Sequence, residues 1–557
     1  MRSKCKTHRI LEVALLLICL IVLSAENLHA NEDSKYLDAV RKFADNVLKY
    51  GRDTYGPKHT PLFVDGLNIH THEPVKWRYK GHVWILSNLA SQQNMLRVLD
   101  GLTKTTGDPK YRQAAMEAIR YAYDNLRTPN GLLYWGHAIC YDALGDAPCG
   151  GSLRCHAMKL NHPYYELMWE VDRAATQRLI ESFWAGCVLD WHNLSITKMG
   201  ELEKQVEPGW NQEYRPRPVF FKGGVSEYCM ASSLFYAGAM LSHLSGEEGP
   251  LIWSKRLAYR YVQTRDQNTG ISAYKYSLAQ EESTQLTEDL NKHWFLIFPV
   301  MSFVDSPMAS LWQYGPQLCQ LSVGELLGDE GREFTEWALQ ELTAWAKASY
   351  RKEDNTFVPM LTNGTLLEER TLMWEMALKI LKPYPAGPIE FWTYALASRF
   401  TEGNTLMWQM TRSIALGNRW GDIGASPTDE PSMNTMTECS DPYVLIGFLE
   451  LYKKTKKVAF LKIAKKIGNN ILASRLSKGF FSPSKDLIFV RFDDVEPLAL
   501  LHLYAAIHDK KLLIPAVRPT WTYFRCEHDD TEKRLPLPSD SGSRTQDDEL
   551  IYVRHLY

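Results

Sequence analysis

The sequence predicts an all-α dominated protein in which helical hairpins stack in series and close into an α/α toroid, with a small C-terminal β-containing part. The main observation is a turn followed at once by an amphipathic helix, which recurs near Gly107, Gly246, Gly328, Gly403 and Lys456. Each of these helices has one apolar stripe, which can be buried only against a neighbouring pair. The five segments are TGDPKYRQAAMEAI, SGEEGPLIWSKRLAYRYV, LGDEGREFTEWALQEL, TEGNTLMWQMTRSI and KTKKVAFLKIAKKIGNNI.

The first elements of the chain form a helix and then a hairpin. A helix is predicted over 34–50, where Leu37, Val40, Phe43 and Val47 lie on one stripe. Loops rich in Pro, Gly and His follow. The segment WILSNLASQQNMLRVLDGL predicts a long helix that ends at a Gly-Asp-Pro turn, where YRQAAMEAIRYAYDNL begins. These two segments are the first clear hairpin.

The middle of the chain interrupts the helical pattern. Between Gly131 and Gly224 the sequence is polar and aromatic, as expected of loops. Functional residues tend to lie on loops that a rigid scaffold carries, so this segment is where we expect the site. Helices resume beyond Ser226 and continue to about Asp509. After Ile514, the stretches WTYFRCEHDD and ELIYVRHLY could pair as strands.

Three parts are predicted along the chain: a signal peptide over 1–30, the toroid over 31–513 and a tail over 514–557. Basic residues from Arg2 to Arg9 precede an apolar run from Leu11 to Ala25, which is typical of a signal peptide. The run is shorter than a bilayer-spanning helix needs. We therefore expect a secreted or periplasmic protein with no stable membrane insertion after cleavage.

Composition narrows the class of partner. The chain of 557 residues has a formal net charge of −2 and no basic run, which argues against nucleic acid as a partner. It contains 17 Trp, 28 Tyr and 20 Phe. Most of these rings are expected in the core, although Trp is also the residue that stacks on sugar faces. The open mouth of a toroid, walled by loops and aromatic side chains, suits an extended sugar polymer.

Eight cysteines remain once Cys5 and Cys19 are removed with the signal peptide. Cys140, Cys149 and Cys155 lie close together in sequence. A disulfide among these three is one interpretation in an oxidising compartment, and buried thiols are the other.

The densest cluster of acid, base and ligand groups lies in YWGHAICYDALGD and RCHAMKLNHPYYELMWEVD. Such a density is unusual for a structural loop, although the histidine spacing matches no standard metal motif. Hydrogen-bonded histidines packed among aromatic rings are the alternative. The candidate residues within this cluster are His137, Arg154, His156, Lys159, His162, Tyr164 and Tyr165.

Motifs spread along nearly the whole mature chain resemble the secreted pectate lyases of polysaccharide lyase family two and their bacterial relatives. These motifs occur in the same order as in that family. They are WILSNLASQQNMLRVLDGLTKTTGDPKYRQAA, LLYWGH, HPYYELMWEVD, ESFWAGCVLDWHNL, LKPYPAGP, SIALGNRWGDIG, SDPYVLIGFLELY, VEPLALLHLYAAI and YFRCEHDD. The resemblance implies an α/α toroid that cleaves polygalacturonate by β-elimination and uses a transition metal such as manganese.

The family's metal-binding residues carry over only in part. His137 matches a metal-binding His that follows Trp-Gly. Ala157 stands where the family has a metal-binding Glu, and Met199 stands where it has a metal-binding His. Lys198 replaces the catalytic Arg. One imidazole does not hold a hard or borderline divalent ion at useful affinity, so we expect the family's metal site to be absent or rebuilt.

The reaction that the resemblance implies defines the remaining roles. A uronate chain is cleaved when its carboxylate charge is offset, a base removes the adjacent proton, and the leaving oxygen is protonated. Lys198 is the predicted base if burial or neighbouring cations lower its pKa, and a solvated loop lysine is the alternative. Tyr164 and Tyr165 are candidates for proton delivery, with Tyr165 the predicted catalytic residue, and aromatic packing is the alternative for both. The predicted substrate-binding residues are Arg154, His156, Lys159, His162 and Tyr164.

Two further functions stay open on the sequence. A catalytically silent relative would keep the glycan-binding cleft without the chemistry. A glycoside hydrolase on the same toroid would need two carboxylates about 5–10 Å apart across the cleft. The carboxylates near one another in sequence are Asp142, Asp146, Glu166 and Glu170.

Overall fold

The computed structural model describes most of the chain between residues 34 and 518. The described ranges are 34–79, 82–136, 139–150, 155–158, 160–204, 209–218, 226–276, 307–367, 371–374, 377–380, 382–403, 405–482, 487–509 and 514–518. The predicted signal peptide and the predicted strands of the tail lie outside these ranges. Within them, no helix has the length and apolar character that crossing a bilayer requires.

Helices dominate the part of the chain that the structure describes. Helix α1 covers 34–50. The others are α2 (Gln93–Thr106), α3 (Lys110–Asn125), α4 (Tyr165–Val171), α5 (Arg173–Cys187), α6 (Tyr228–Ser245), α7 (Glu248–Val262), α8 (Pro307–Leu327), α9 (Arg332–Ala348), α10 (Pro388–Ser398), α11 (Leu406–Gly417), α12 (Pro442–Thr455), α13 (Val458–Arg475) and α14 (Glu496–Ile507). Short 3₁₀ helices cover Leu89–Ser91, Gly209–Asn211 and Gly328–Gly331.

The described strands are short, and all of their pairings are antiparallel. They are β1 (Gly66–Asn68), β2 (Trp77–Tyr79), β3 (His82–Trp84), β4 (Leu86–Ser87), β5 (Cys140–Asp142), β6 (Ala147–Cys149), β7 (Cys155–His156), β8 (Val188–Asp190), β9 (Ser195–Ile196), β10 (Gly200–Glu201), β11 (Ser226–Glu227), β12 (Lys275–Tyr276), β13 (Tyr350–Arg351), β14 (Thr356–Phe357), β15 (Thr371–Trp374), β16 (Ala377–Ile380), β17 (Tyr384–Pro385), β18 (Gly421–Asp422), β19 (Ser432–Met433), β20 (Leu476–Ser477), β21 (Phe480–Phe481) and β22 (Phe489–Arg491).

The even-numbered helices form an inner ring. Helix α6 packs on α4 and α8, α10 packs on α8 and α12, and α14 packs on α12 and α2. The ring continues between α2 and α4, where the Arg97 guanidinium donates to the carbonyl of His162 at 2.7 Å. Each inner helix from α2 to α12 also packs on the odd-numbered helix that follows it. The α/α toroid predicted from the sequence is confirmed.

Helix α1 completes the outer ring. The Tyr36 hydroxyl donates to Asn469 Oδ1 of α13 at 2.7 Å, and the Tyr111 hydroxyl of α3 donates to Asp45 Oδ1 at 2.9 Å. Helix α1 therefore lies between the last and first hairpins. Counted over the described residues, seven inner and seven outer helices close the toroid.

The hairpin turns have the backbone conformation that their sequence requires. The five predicted turn residues all have positive φ: Gly107 (77°), Gly246 (80°), Gly328 (59°), Gly403 (64°) and Lys456 (58°). A left-handed residue ends a helix and lets the chain reverse, and glycine adopts that conformation at least cost. Each turn joins an inner helix to the next outer helix, so the five predicted hairpins are confirmed. The first helix of the first hairpin is shorter than predicted: it begins at Gln93, and short strands and a 3₁₀ turn replace its start from Trp84.

The two ends of the toroid differ in the length of their loops. Turns from an inner to an outer helix are short, whereas the connections from an outer to the next inner helix are long and contain every described strand. Because inner helices run in one direction and outer helices in the other, all the long connections lie at one end. We call this end the loop face. It includes the N-termini of the inner helices.

One continuous apolar core lies between the two rings. Its largest fully buried side chains include Trp135, Trp184, Trp253, Trp345 and Trp408. These five tryptophans therefore belong to the core, as expected for most rings of this chain.

Candidate active site

The predicted site residues that the structure describes lie on the loop face or at the start of α4. His156 lies on β7, His162 and Tyr164 lie in the connection before α4, and Tyr165 begins α4. Lys198 lies between β9 and β10. His137, Arg154 and Lys159 lie outside the described residues, so their roles stay predictions.

The structure brings together the backbone segments that correspond to the family's metal ligands. Gly136, which precedes His137, approaches Ala157 so closely that a Cβ at position 136 would lie 2.5 Å from the Ala157 carbonyl oxygen. On the other side, β7 pairs with β10, so His156 lies opposite Gly200, the residue that follows Met199. The segments around Gly136, Ala157 and Met199 are therefore neighbours, although they are distant in sequence.

Asn88 holds the Gly136 segment in place. Its side-chain Nδ2 donates to the Gly136 carbonyl at 2.8 Å, and the Gly136 N–H donates to Asn88 Oδ1 at 3.0 Å. Asn88 is buried. This amide therefore satisfies both backbone groups of the residue that precedes His137.

Lys198 forms an ion pair with a buried carboxylate. Its Nζ lies 3.5 Å from Glu227 Oε1, and the side chains of Lys198 and Glu227 are 44% and 4% exposed. Lys275 Nζ lies 2.9 Å from the same oxygen. The carboxylate thus holds two cations close together, and Lys198 is the more exposed of the two.

The pairing of β11 with β12 explains how these groups meet. Glu227 lies opposite Lys275 in this antiparallel pair, at the N-terminus of α6. The Cys229 thiol lies 3.8 Å from Glu227 Oε2 and 3.0 Å from the Tyr274 hydroxyl. Burial is the main cause that raises the pKa of Tyr274 well above its usual value, so its phenol stays protonated.

His156 is a buried, neutral histidine. The Trp135 indole N–H donates to His156 Nε2 at 2.7 Å, and the Phe183 ring packs against the imidazole with centroids 5.4 Å apart. Burial lowers the pKa of His156 to about 3. At neutral pH the ring therefore has no positive charge to offer a substrate carboxylate. Its role in substrate binding stays a prediction.

His162 and Tyr165 pack on the inner helix α6. The ring of His162 meets Tyr236 edge to face with centroids 5.0 Å apart, and Tyr165 lies 5.8 Å from the same ring. Both side chains are buried. Burial raises the pKa of Tyr165 well above its usual value. The phenol therefore keeps its proton, and its role as proton donor stays a prediction.

Tyr164 belongs to a charged network on α2. Its hydroxyl donates to Asp100 Oδ2 at 2.5 Å. Asp100 also pairs with Lys104 at 2.7 Å and with Arg112 at 3.0 Å. Burial, and then the Asp100 charge, raise the pKa of Tyr164 well above its usual value. The contacts of Tyr164 are thus with α2, whereas the ion pair of Lys198 is with β11.

The donors at the family's metal positions do not fit a hard divalent ion. Ala157 has no ligand atom, and the thioether of Met199 is a soft ligand that manganese does not favour. Over the described residues, no group of three or more His, Cys, Asp or Glu side chains is placed to hold a metal ion. His137 lies outside those residues, so its metal-binding role remains untested.

The carboxylates considered for a hydrolase have other partners. Asp142 accepts backbone N–H groups from Ile85, Leu144 and Gly145, which shape the β5–β6 hairpin. Asp146 accepts the Lys58 N–H at 3.0 Å. The other two are on α4, where Glu170 forms an ion pair with Arg112 and Glu166 is partly buried. These carboxylates are therefore divided between a hairpin turn and a helix.

Sequence reasoning did not identify Glu227, Lys275 or Asn88 as part of the site. Glu227 and Lys275 lie on either side of the α6–α7 hairpin, and only the pairing of β11 with β12 brings them together. No sequence motif marks Asn88 either, because its partners are backbone atoms of a distant glycine.

The α/α toroid with its candidate site on the loop face defines the class of fold, and comparison with known proteins identifies the family. A family model described as periplasmic pectate lyase matches residues 60–295 and 307–527. The chain belongs to the periplasmic pectate lyase family. The family's periplasmic description agrees with the location that the N-terminal segment predicts.

The individual relatives share little sequence identity with this chain. A pectate disaccharide-lyase of Dickeya dadantii (strain 3937) is 24% identical over 522 residues, which cover 87% of this chain and 91% of that protein. Among solved structures, a sugar epimerase from a ruminal bacterium matches with a TM-score of 0.44 at 12% identity, over 85% of this chain and 99% of that chain. An unsaturated glucuronyl hydrolase specific for heparin matches with a TM-score of 0.41 at 10% identity, over 86% and 99%.

Proposed function

We propose that this protein is an exported polysaccharide lyase that cleaves a uronate-containing, pectate-like glycan by β-elimination, with Lys198 as the base. Membership of the pectate lyase family supports the reaction class. The observation that carries the role of Lys198 is its position: it is the most exposed member of the Lys198, Glu227 and Lys275 cluster, next to the strand that pairs with β7.

The chemistry assigns separate tasks to these groups. A base removes the proton next to the uronate carboxylate, and the bond to the leaving oxygen then breaks. Glu227 holds Lys198 in position through the ion pair. Lys275 pairs with the same Glu227 oxygen, so two positive charges share one negative charge. These cations also attract an acidic glycan.

The alternative is a catalytically silent protein that binds the same glycan. A lyase forms a double bond conjugated to the carboxylate, and this product absorbs in the ultraviolet. We expect absorbance to grow with polygalacturonate or a related uronate polymer. Binding of these polymers without any growth of absorbance would contradict the lyase proposal and support the alternative.

Substitution of Lys198 tests the base directly. We expect Lys198→Ala to lower the rate by at least about 100-fold, because general-base catalysis contributes this much or more. Lys255→Ala is a matched control, since Lys255 forms an ion pair with Glu333 on the outer ring. Equal rates for both variants, with unchanged thermal midpoints, would remove Lys198 from the mechanism.

Metal dependence can be measured in the same assay. Because Ala157 and Met199 supply no suitable ligands, we expect a chelator to leave the rate of the purified protein unchanged. Loss of activity on chelation, with recovery on adding manganese, would show that other residues rebuild a metal site.

A further inference from the structure

Two cysteines face each other in the β5–β6 hairpin. The register pairs Cys140 directly with Cys149. Directly opposed residues of an antiparallel pair have Cα atoms about 4.5 or 5.5 Å apart and side chains on the same face of the sheet. Both separations fall within the roughly 4.4–6.8 Å that a disulfide spans. The backbone therefore already has the geometry of a cross-strand bridge.

The two thiols are buried among apolar side chains. Cys140 and Cys149 are buried with Trp77 and Leu86 in a small cluster separate from the main core, and Trp84 packs against it. The two thiols are within hydrogen-bonding contact, and this contact, followed by burial, raises the pKa of Cys149. The structure has both as thiols that face each other within one hairpin.

The third cysteine of this region is held elsewhere. Cys155 lies on β7, where it pairs with Glu201 of β10 and is partly exposed. The sequence left a bridge among the three cysteines undecided. The strand register favours the pair within the hairpin.

We propose that Cys140 and Cys149 form a cross-strand disulfide once the protein reaches an oxidising compartment. A protein disulfide or oxidised glutathione accepts two electrons and two protons from the thiols, and is reduced to the dithiol while the S–S bond forms. Oxidation of the thiols requires the export that is part of the proposed function. The pairing itself depends only on the hairpin.

The bridge would stabilise the segment next to the predicted site. Strand β5 begins at Cys140, shortly after His137, and Asn88 holds Gly136 at the other end of this segment. A disulfide from Cys140 to β6 would therefore fix the other end of the segment that contains His137. Disulfides stabilise mainly by restricting the unfolded chain, even when they close a short loop.

Peptide mapping tests the pairing. Trypsin cleaves after Arg127 and Arg154 and nowhere between them, so both cysteines fall in one peptide, residues 128–154. The exported protein is alkylated with iodoacetamide and digested without reduction. We expect this peptide to be unalkylated and lighter by two hydrogen atoms than the reduced form. Alkylation of both cysteines here and also after refolding with oxidised glutathione, or a link to the peptide that contains Cys155, would overturn the proposal.

Variants provide a second measurement. We expect dithiothreitol to lower the thermal midpoint of the wild type by a few degrees and to leave that of the Cys140→Ser, Cys149→Ser double variant unchanged. Cys187→Ser is the matched control, since Cys187 is another buried cysteine, and this variant should keep the response to reductant. A response that survives in the double variant would overturn the proposal.

Failure of export is distinguishable from failure of the pairing. The purified chain can be refolded with reduced and oxidised glutathione. If the native protein contains thiols but the refolded chain contains the 140–149 bridge, the export in the proposed function is contradicted and the pairing is supported. Because the mapping needs no substrate, loss of the lyase proposal leaves this inference intact.

Discussion

His156 and Lys198 show how strongly burial decides what a side chain can do. Both lie next to the β7–β10 pair. His156 is enclosed by Trp135 and Phe183, so burial keeps its imidazole neutral. Lys198 is partly exposed and has a buried carboxylate beside it. Burial therefore makes His156 a structural base, whereas the amine of Lys198 stays accessible.

The neutral state of His156 predicts a specific pH dependence of stability. Its folded pKa is about 3, below the ordinary value of 6.5. Below about pH 6.5 the unfolded chain binds a proton that the folded chain does not, so stability is lost as the pH falls towards 4. We expect His156→Gln to remove this loss, which amounts to about 3 kcal/mol between pH 7 and pH 4.

Urea unfolding of the wild type and of His156→Gln at several pH values measures this effect. Other groups cancel in the difference between the two proteins. Asp441 is one of them: burial raises its pKa to about 6, so it contributes a slope of opposite sign in both. A difference in the free energy of unfolding that does not change with pH would contradict the buried neutral imidazole.

At the scale of elements, the segment that leads to His137 is held by an amide rather than by its own secondary structure. Asn88 satisfies both the N–H and the C=O of Gly136. Gly136 has φ of 108°, and Ala157 leaves no space for a Cβ at this position. A glycine is therefore required here for both conformation and space.

Removal of this amide should cost stability. Asn88→Ala leaves two buried backbone groups without their partner, and each such group costs about 1–3 kcal/mol. We expect a loss of about 3 kcal/mol in the free energy of unfolding, measured with urea. Asn125→Ala is the matched control, because Asn125 is an exposed residue whose side chain bonds a carbonyl of its own helix. Similar losses in both variants would contradict the role assigned to Asn88.

The predicted hairpins show how far local sequence specifies elements. Turn residues and apolar stripes are local features, and the structure confirms the turns at Gly107, Gly246 and Gly403. The strands of the loop face were not predicted. All the described ones are only two to four residues long, and some pair with segments distant in sequence, such as β1 with β22. Such short segments have no periodic pattern of their own.

At the scale of the whole molecule, the toroid closes where the last hairpins meet the first. Asp493, just before α14, accepts the N–H of Asn94 at 2.6 Å and that of Met95 at 3.3 Å. The Asp493 carbonyl accepts the side-chain amide of Asn94 at 3.1 Å. Helix α2 is thus capped by a residue from the far end of the chain.

Closure of the ring can be tested at this cap. We expect Asp493→Ala to lower the free energy of unfolding by about 2–3 kcal/mol, because it removes a cap and leaves buried N–H groups unpaired. Asp172→Ala is the control: Asp172 caps α5 locally through the Ala175 N–H at 2.9 Å, and should cost about 1 kcal/mol. An equal or smaller loss for Asp493→Ala would show that the contact contributes little to ring closure.

The sequence by itself determined the hairpins, their serial stacking and the family, because these depend on local turns, helical periodicity and ordered motifs. It also identified the positions of Ala157, Lys198 and Met199 through the resemblance. Only the tertiary structure decided which groups surround them. Glu227, Lys275 and Asn88 reach the site through strand pairing and contacts with distant backbone, and burial, which sets the charge of His156, exists only once the ring has closed.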